Sequence, residues 1–378
     1  MEGSLSVKYN VLLAYIFVSL GLFLYSYTQV DLNLTLSSIS IWQAIQKSFQ
    51  YIGFFRRDIS SGIFVLLISA FTILYAWAVH LARKGKISEK FFWRLILIVS
   101  VILLFSYPAF SYDIYNYMFT AKTVLVYHTS PYTIIPLQLT GVEPWLNFMR
   151  WTHLPSAYTP LWILLSLPPF LFGFGVFLLI LWNMKLLIVG FYLLTTLMIG
   201  KILGEVDHEK RTLGMTIFAL NPLILIESVV SPHNDIVMMG LALTAWYWRS
   251  WFMLAASVGL KFMTITLFPV AALGWHRKLA LLAMLAGLLY IIWDREILPW
   301  YWVWIMPFVA LLPRNRSLFI LSTGVSTGLL LRYLPYLYLG NWDPPAPMFK
   351  LWLTIVPIGI ATVFALRRPR TQDNRPVV

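Results

Sequence analysis

In a chain that is mostly apolar, a few polar residues stand where chemistry could be done. Asp113 lies in "FSYDIYNY", His233, Asn234 and Asp235 lie in "SPHND", and Lys261 lies in "SVGLKFMTITLFP". Asp113 starts the longest loop and has no basic neighbour nearby in sequence to pair with. A lysine inside an apolar stretch offsets an anion, and a lipid phosphate is the obvious one. Each also has a plainer explanation. Asp113 fits a helix end at the membrane edge, Asn234 or Asp235 fits an N-cap, and Lys261 fits a side chain snorkelling to the interface. Capping explains neither His233 nor Glu227, which stands a turn and a half earlier. A charge at the bilayer centre costs about 2.5–3.5 kcal/mol on insertion scales, so a lysine at a helix break is expected to touch something anionic. His233 with one or two carboxylates leaves a divalent cation open, but the set is too small and too loosely spaced to predict a metal site, and no other cofactor follows.

The elements that must position these residues are membrane helices. The 378 residues are 60% hydrophobic and only 11% charged, against roughly 25% charged in soluble domains. Apolar runs of about 18 residues recur along the chain, each long enough to cross a bilayer. The fold expected is all-α and polytopic, with about 11–13 helices in one domain over 1–366 and a polar cytoplasmic tail, "RRPRTQDNRPVV", over 367–378. The net charge of +13 belongs to topology rather than to nucleic acid, because membrane proteins collect Lys and Arg in cytoplasmic loops. The absence of cysteine excludes disulfides and thiolate chemistry. The first run, "VLLAYIFVSLGLFLYSY", is too long for a signal-peptide core and reads as a retained helix.

Crossings are expected near 9–28, 61–81, 93–110, 183–200, 212–230, 235–249, 278–293, 298–313, 317–336 and 350–366, with 251–275 broken into a short pair at Lys261. Asn221-Pro222 should kink its helix. The segment 160–181 is apolar but interrupted by Pro168, Pro169, Gly173 and Gly175. If it does not cross, every later cationic cluster faces the cytoplasm, as the positive-inside rule prefers. The long loop 111–159 and "SPHND" then face outward together. Residues 39–55 place Trp42, Ile45, Phe49 and Ile52 on one face, the pattern of a helix lying in the interface.

Taken in order, "SYDIYNY", "SPY", "YTPLW", "NPLILIESVVSPHND" and "GLKFMTITLFP" resemble the GT-C superfamily of membrane glycosyltransferases. The likeness is nearest to the polyprenol-phosphate-mannose-dependent mannosyltransferases of bacteria and archaea, and extends over roughly 106–305. The resemblance implies a plasma-membrane enzyme with its site facing outside. It implies a polyprenyl- or dolichyl-phosphate hexose donor, mannose above all, and a lipid- or glycan-linked acceptor. It places Asp113 as catalytic base and His233, Asn234, Asp235 and Lys261 at the donor. Tyr112, Tyr115, Tyr117 and Tyr132 would line the sugar pocket, although aromatic residues are common at membrane interfaces in any case. Relatives with a D-x-D pair have Asp where this chain has Tyr115, which sets two-carboxylate metal binding in doubt. The rival from another class is a lipid or solute transporter, or flippase, which also uses broken helices and buried charges. Against it, no internal repeat is visible and the acids gather at one face.

Overall fold

The structure is a computed structural model that describes residues 2–367, with side chains from 7 onward. The tail expected at 367–378 lies, apart from Arg367, outside the described residues. Every regular element among them is helical. The α-helices are α1 Glu2–Tyr27, α2 Ser40–Gln50, α3 Arg57–Arg83, α4 Glu89–Leu104, α5 Asp113–Leu125, α6 Pro160–Leu171, α7 Phe177–Val206, α8 Arg211–Ala219 and α9 Pro222–Leu225. The second half adds α10 Asp235–Trp248, α11 Trp251–Leu260, α12 Phe268–Ala272, α13 Arg277–Asp294, α14 Met306–Ala310, α15 Arg316–Leu331, α16 Leu334–Leu339 and α17 Ala346–Leu366.

Five helical stretches are long and apolar enough to cross a bilayer: Val7–Tyr27, α3, α7, Arg316–Leu339 and α17. A sixth forms if His208–Ala219 and Pro222–Val230, bent by 59°, count as one. The bend falls at Asn221-Pro222. Pro222 has no N–H to give, and Asn221 Oδ1 accepts from the N–H groups of Leu223 at 3.0 Å and Ile224 at 3.4 Å, so the chain restarts there as a freshly capped helix. The protein is therefore a polytopic all-α membrane protein, though several expected crossings are built differently. Residues 298–313 form a 3₁₀ turn, Pro299–Trp304, followed by the short α14. The prolines at 299 and 307 withhold backbone donors at the start of each piece.

The interrupted segment 160–181 also divides, but not at its prolines. At roughly 1.5 Å per residue, the 12 residues of α6 span about 18 Å, short of a hydrocarbon core near 30 Å. Pro168 and Pro169 sit inside this helix. The chain turns instead at 172–176, where Phe174 (φ 49°) and Gly175 (φ 77°) are left-handed. A side chain at Gly173 would come within 2.2 Å of Ile180 Cγ1 and 2.9 Å of its backbone. Only glycine permits the reversal, and α7 begins at Phe177, six residues before the expected start.

Polar contacts sort the turns to two ends of the bundle. At one end Arg211 pairs with Glu89 at 2.9 Å and Arg314 with Asp207 at 2.8 Å. Arg277 donates to Leu311 O at 3.2 Å, and Arg249 donates to Gly274 O at 3.0 Å. These contacts gather the cationic turns. At the other end Tyr27 Oη donates to Phe105 O at 2.7 Å, and Arg150 pairs with Asp31 at 3.7 Å. Arg57 reaches the carbonyls of Tyr336 and Leu337 at 3.5 and 3.4 Å, and Arg332 pairs with Glu296. At this second end α2 leaves Trp42 56% and Ile45 41% exposed, so much of its apolar face is turned away from the protein.

One buried side chain fixes the approach to Asp113. Lys185 of α7 is fully buried. Its Nζ donates to Leu103 O at 3.2 Å, Ser106 O at 2.5 Å and Ser106 Oγ at 3.1 Å. The last carbonyls of a helix have no intrahelical donor, so Lys185 caps α4 and pins the turn from which 107–112 run to Asp113. Leaving a buried polar group without a partner costs about 1–3 kcal/mol. Lys185→Met is expected to lower the thermal unfolding midpoint of detergent-purified protein by several degrees. An unchanged midpoint would show that this helix end needs no cap.

Candidate active site

Asp113 is the first residue of α5, where the helix dipole favours negative charge. Its N–H donates to Ser111 Oγ at 3.2 Å, which turns the chain into the helix. Among the described residues its carboxylate accepts no hydrogen bond, and the side chain is 20% exposed. Burial raises its pKa above the usual carboxylate value, and the charges of His233 and Lys261 pull it back only in part.

His233 stands 3.7 Å from Asp113, Nε2 to Oδ2. Nε2 also lies 3.0 Å from Ser111 Oγ, and Nδ1 faces Glu227 Oε2 at 3.1 Å. The ring stacks on Trp300, centroids 4.3 Å apart. The other oxygen of Glu227 accepts from Tyr333 Oη at 2.9 Å. Burial lowers the pKa of His233, but the contact and charge of Glu227, then the charges of Asp113 and Asp235, outweigh burial and raise it above the ordinary value.

Asp235 is fully buried and takes a donor on each oxygen, Lys261 Nζ at 2.7 Å and the Trp304 indole N–H. Lys261 occupies the extended residue that ends α11, as its place at a helix break suggested, and its side chain is 35% exposed. Asn234 sits at the N-cap of α10 without capping it. Its Oδ1 instead accepts from Lys261 Nζ at 3.3 Å, and its N–H donates to Tyr117 Oη at 3.3 Å. The capping explanation therefore fails for this turn.

The structure thus brings Asp113, His233, Asn234, Asp235 and Lys261 into one cluster. The tyrosines expected to line a sugar pocket are placed otherwise. Tyr115 is fully buried among Tyr107, Phe148 and Phe177. Tyr117 is buried against Tyr158 and Trp162, with ring centroids at 4.8 and 4.9 Å, and supports Asn234. Tyr112 points to the Asp31–Arg150 pair, its Oη donating to Asp31 at 3.1 Å. Tyr132 is 44% exposed and donates to Tyr158 O at 2.8 Å. A cavity of about 240 Å³ does open beside Asp113, and the aromatic residues lining it are Phe119, Trp151 and Tyr158. Helix geometry explains the exchange: two residues along α5, Tyr115 lies on the opposite face from Asp113. Trp300, Trp304 and Tyr333 were missed as site residues. The 300/304 spacing was the available signal, hidden in a run read as a plain crossing.

A divalent cation does not fit this donor set. Among the described residues no three His, Asp or Glu side chains are gathered to hold one. Asp235 holds a donor on each oxygen, and Glu227 holds Tyr333 on one oxygen and faces His233 with the other.

Fold and site together define a polytopic membrane protein with a buried acid–base cluster at one end of its bundle. The family model for the MptA_B family, described as alpha-(1->6)-mannopyranosyltransferase, N-terminal domain, matches residues 34–277. That is more than half of the chain, and the chain belongs to this family of GT-C type mannosyltransferases. No curated protein and no solved structure matches it. The matched stretch contains all five clustered residues but stops short of Trp300, Trp304 and Tyr333.

The two shifted groups set a pH dependence. Were Asp113 the base, its carboxylate would have to be ionised, and activity would fall as pH drops through its raised pKa. A charged His233 is lost as pH rises through its own raised value. The rate–pH profile is expected to be bell-shaped, with its acid limb above the ordinary carboxylate range. In His233→Gln the alkaline limb should disappear. The acid limb should move to higher pH, because a cation that lowers the Asp113 pKa is gone. A profile of His233→Gln superimposable on wild type would refute the coupling.

Proposed function

We propose that this mannosyltransferase moves mannose from a polyprenyl-phosphate donor to a hydroxyl of a glycan or glycolipid acceptor, with inversion, and with Asp113 as base. One observation carries the reading. Of the three acids in the cluster, Glu227 and Asp235 are fully buried and each accepts a hydrogen bond, while Asp113 alone accepts none and borders a cavity. A single base suffices because the leaving group needs no acid. Glycosidases pair an acid with a base because an alkoxide leaves poorly, whereas a lipid phosphate departs as a stable anion. Only the acceptor hydroxyl must lose a proton.

The acceptor oxygen attacks C1 of mannose as the bond from C1 to the phosphate oxygen breaks, its electron pair leaving with the lipid phosphate. The hydroxyl proton passes to Asp113. Lys261 is held by Asp235 and Asn234 on one side, and its ammonium has three donors, so one remains for the departing phosphate. His233 adds positive charge beside it. Fixed charges in a site with little water stabilise developing charge more than the same groups in water. An α-linked product made with inversion requires a β-linked mannosyl phosphate. The positive-inside rule assigns the cationic end of the bundle to the cytoplasm and hence the cluster to the outer face of the cell membrane. The polyprenyl chain then remains among membrane lipids. Turnover in detergent without a gradient separates this reading from that of a transporter.

Asp113→Asn is expected to lower transfer from polyprenyl-phosphate mannose by about 10²–10⁴-fold while the variant still binds the donor. The measurement is radiolabelled mannose transfer by purified enzyme in detergent. Transfer at the wild-type rate would sink the assignment.

A further inference from the structure

We propose that the cavity between α5 and the outer loop 131–158 is the acceptor subsite, and that it takes the neutral terminal hexose of the acceptor glycan. This rests on the mannosyl transfer proposed above and adds where the second substrate sits. Asp113, Asn116 and Thr120 line one wall. At positions i, i+3 and i+7 they share one face of α5. Ser156, Trp151 and Tyr158 line the facing loop, with Ser156 Oγ 3.4 Å from Thr120 Oγ1.

Three features select this ligand. The lining contains no lysine, arginine or histidine, so a phosphate there would meet only the carboxylate of Asp113 and no compensating cation. The cations, Lys261 and His233, do not line the cavity. An inverting displacement needs that division, since nucleophile and leaving group occupy opposite faces of C1. Second, the volume of about 240 Å³ accommodates one sugar ring rather than a lipid chain. Third, one polar group in the lining is unspent. Among the described residues the Asn116 side-chain amide makes no hydrogen bond, although it lies one turn from Asp113 and borders the cavity. Trp151 is 51% exposed at the cavity and is held at φ 55°. Left-handed backbone at a bulky residue is unfavourable and tends to cluster at functional sites. A flat apolar ring beside an unpaired amide and a hydroxyl is the lining that binds a pyranose, whose one face is apolar and whose rim carries hydroxyls.

The test uses the full chain in detergent, polyprenyl-phosphate mannose as donor and a synthetic α-mannoside as acceptor, with each varied in turn. Losing a hydrogen bond or a stacking surface of about 1.4 kcal/mol is a tenfold change. Asn116→Ala and Trp151→Ala are therefore each expected to raise the acceptor KM about tenfold and to leave the donor KM within about twofold. Trp151→Phe, which keeps an aromatic surface, should restore most of the affinity and guards against a folding defect. Saturation-transfer NMR with the α-mannoside alone reads the same site without turnover, and its signal should fall in both alanine variants. A rise in donor KM with the acceptor KM unmoved would overturn the proposal by placing donor mannose in the cavity. Variants unmoved in both constants would overturn it as well. Wild-type enzyme that binds the mannoside in a manner dependent on Asn116 and Trp151, yet transfers nothing from lipid phosphate, would leave the subsite standing and overturn the donor assignment instead.

Discussion

Three carboxylates, an imidazole and an ammonium share one end of an apolar helical bundle, and the rest of the structure is arranged around making that tolerable. A buried ion without partners costs several kcal/mol even after relaxation. Glu227 and Asp235, both fully buried, therefore each hold two partners. Those partners come from remote stretches of chain: Tyr333 for Glu227, Trp304 for Asp235 and Lys261 from between them. Regular helices could not deliver all of these groups to one place. The bend at Asn221-Pro222, the break at Lys261 and the 3₁₀ turn Pro299–Trp304 are where the chain gives up helical regularity, and each lies beside a member of the cluster.

Against that background Asp113 is the exception that gives the site its direction. Satisfying every oxygen would make the cluster stable and inert, because an acid already holding two donors is a poor proton acceptor. Asp113 borrows stability from the helix N-terminus and from His233 at 3.7 Å, while its carboxylate accepts no hydrogen bond. Lys185 contributes at a distance, by fixing the end of α4 from which the segment carrying Asp113 departs.

How much of this was legible in the sequence depended on how few alternatives each residue type has in a membrane. Asp113, His233, Asp235 and Lys261 stood out because ionisable groups in apolar segments are costly and rarely incidental. Trp300, Trp304 and Tyr333 did not, since aromatic residues crowd membrane interfaces without doing chemistry. The tyrosines of "SYDIYNY" were assigned by closeness in sequence, whereas the helix beginning at Asp113 sorts them by face: Asn116 and Thr120 go with the acid and Tyr115 goes to the core. Lys185 escaped notice because it sits mid-helix with no acidic neighbour, and its partners are backbone oxygens that no pattern announces. That 160–181 is interrupted was legible from its prolines and glycines. The exact point of the break, the left-handed turn after Gly173, depends on the approach of Ile180, a contact between segments.

Two parts of the surroundings of Asp113 differ in a way that suits the reaction proposed. Lys261 and His233 near it are cationic and fixed by buried carboxylates. The cavity it borders has hydroxyl, amide and aromatic walls and no cation in its lining. A displacement at a sugar carbon asks for this asymmetry, because charge accumulates on the departing phosphate while the entering group is neutral until its proton leaves. The buried pairs make the cationic wall rigid, so little reorganisation is needed when that charge appears. In the reaction proposed, Glu227 and Asp235 serve this purpose by holding the cations. Each holds its cation in place and partly balances it, so that the cluster remains stable when no phosphate is bound.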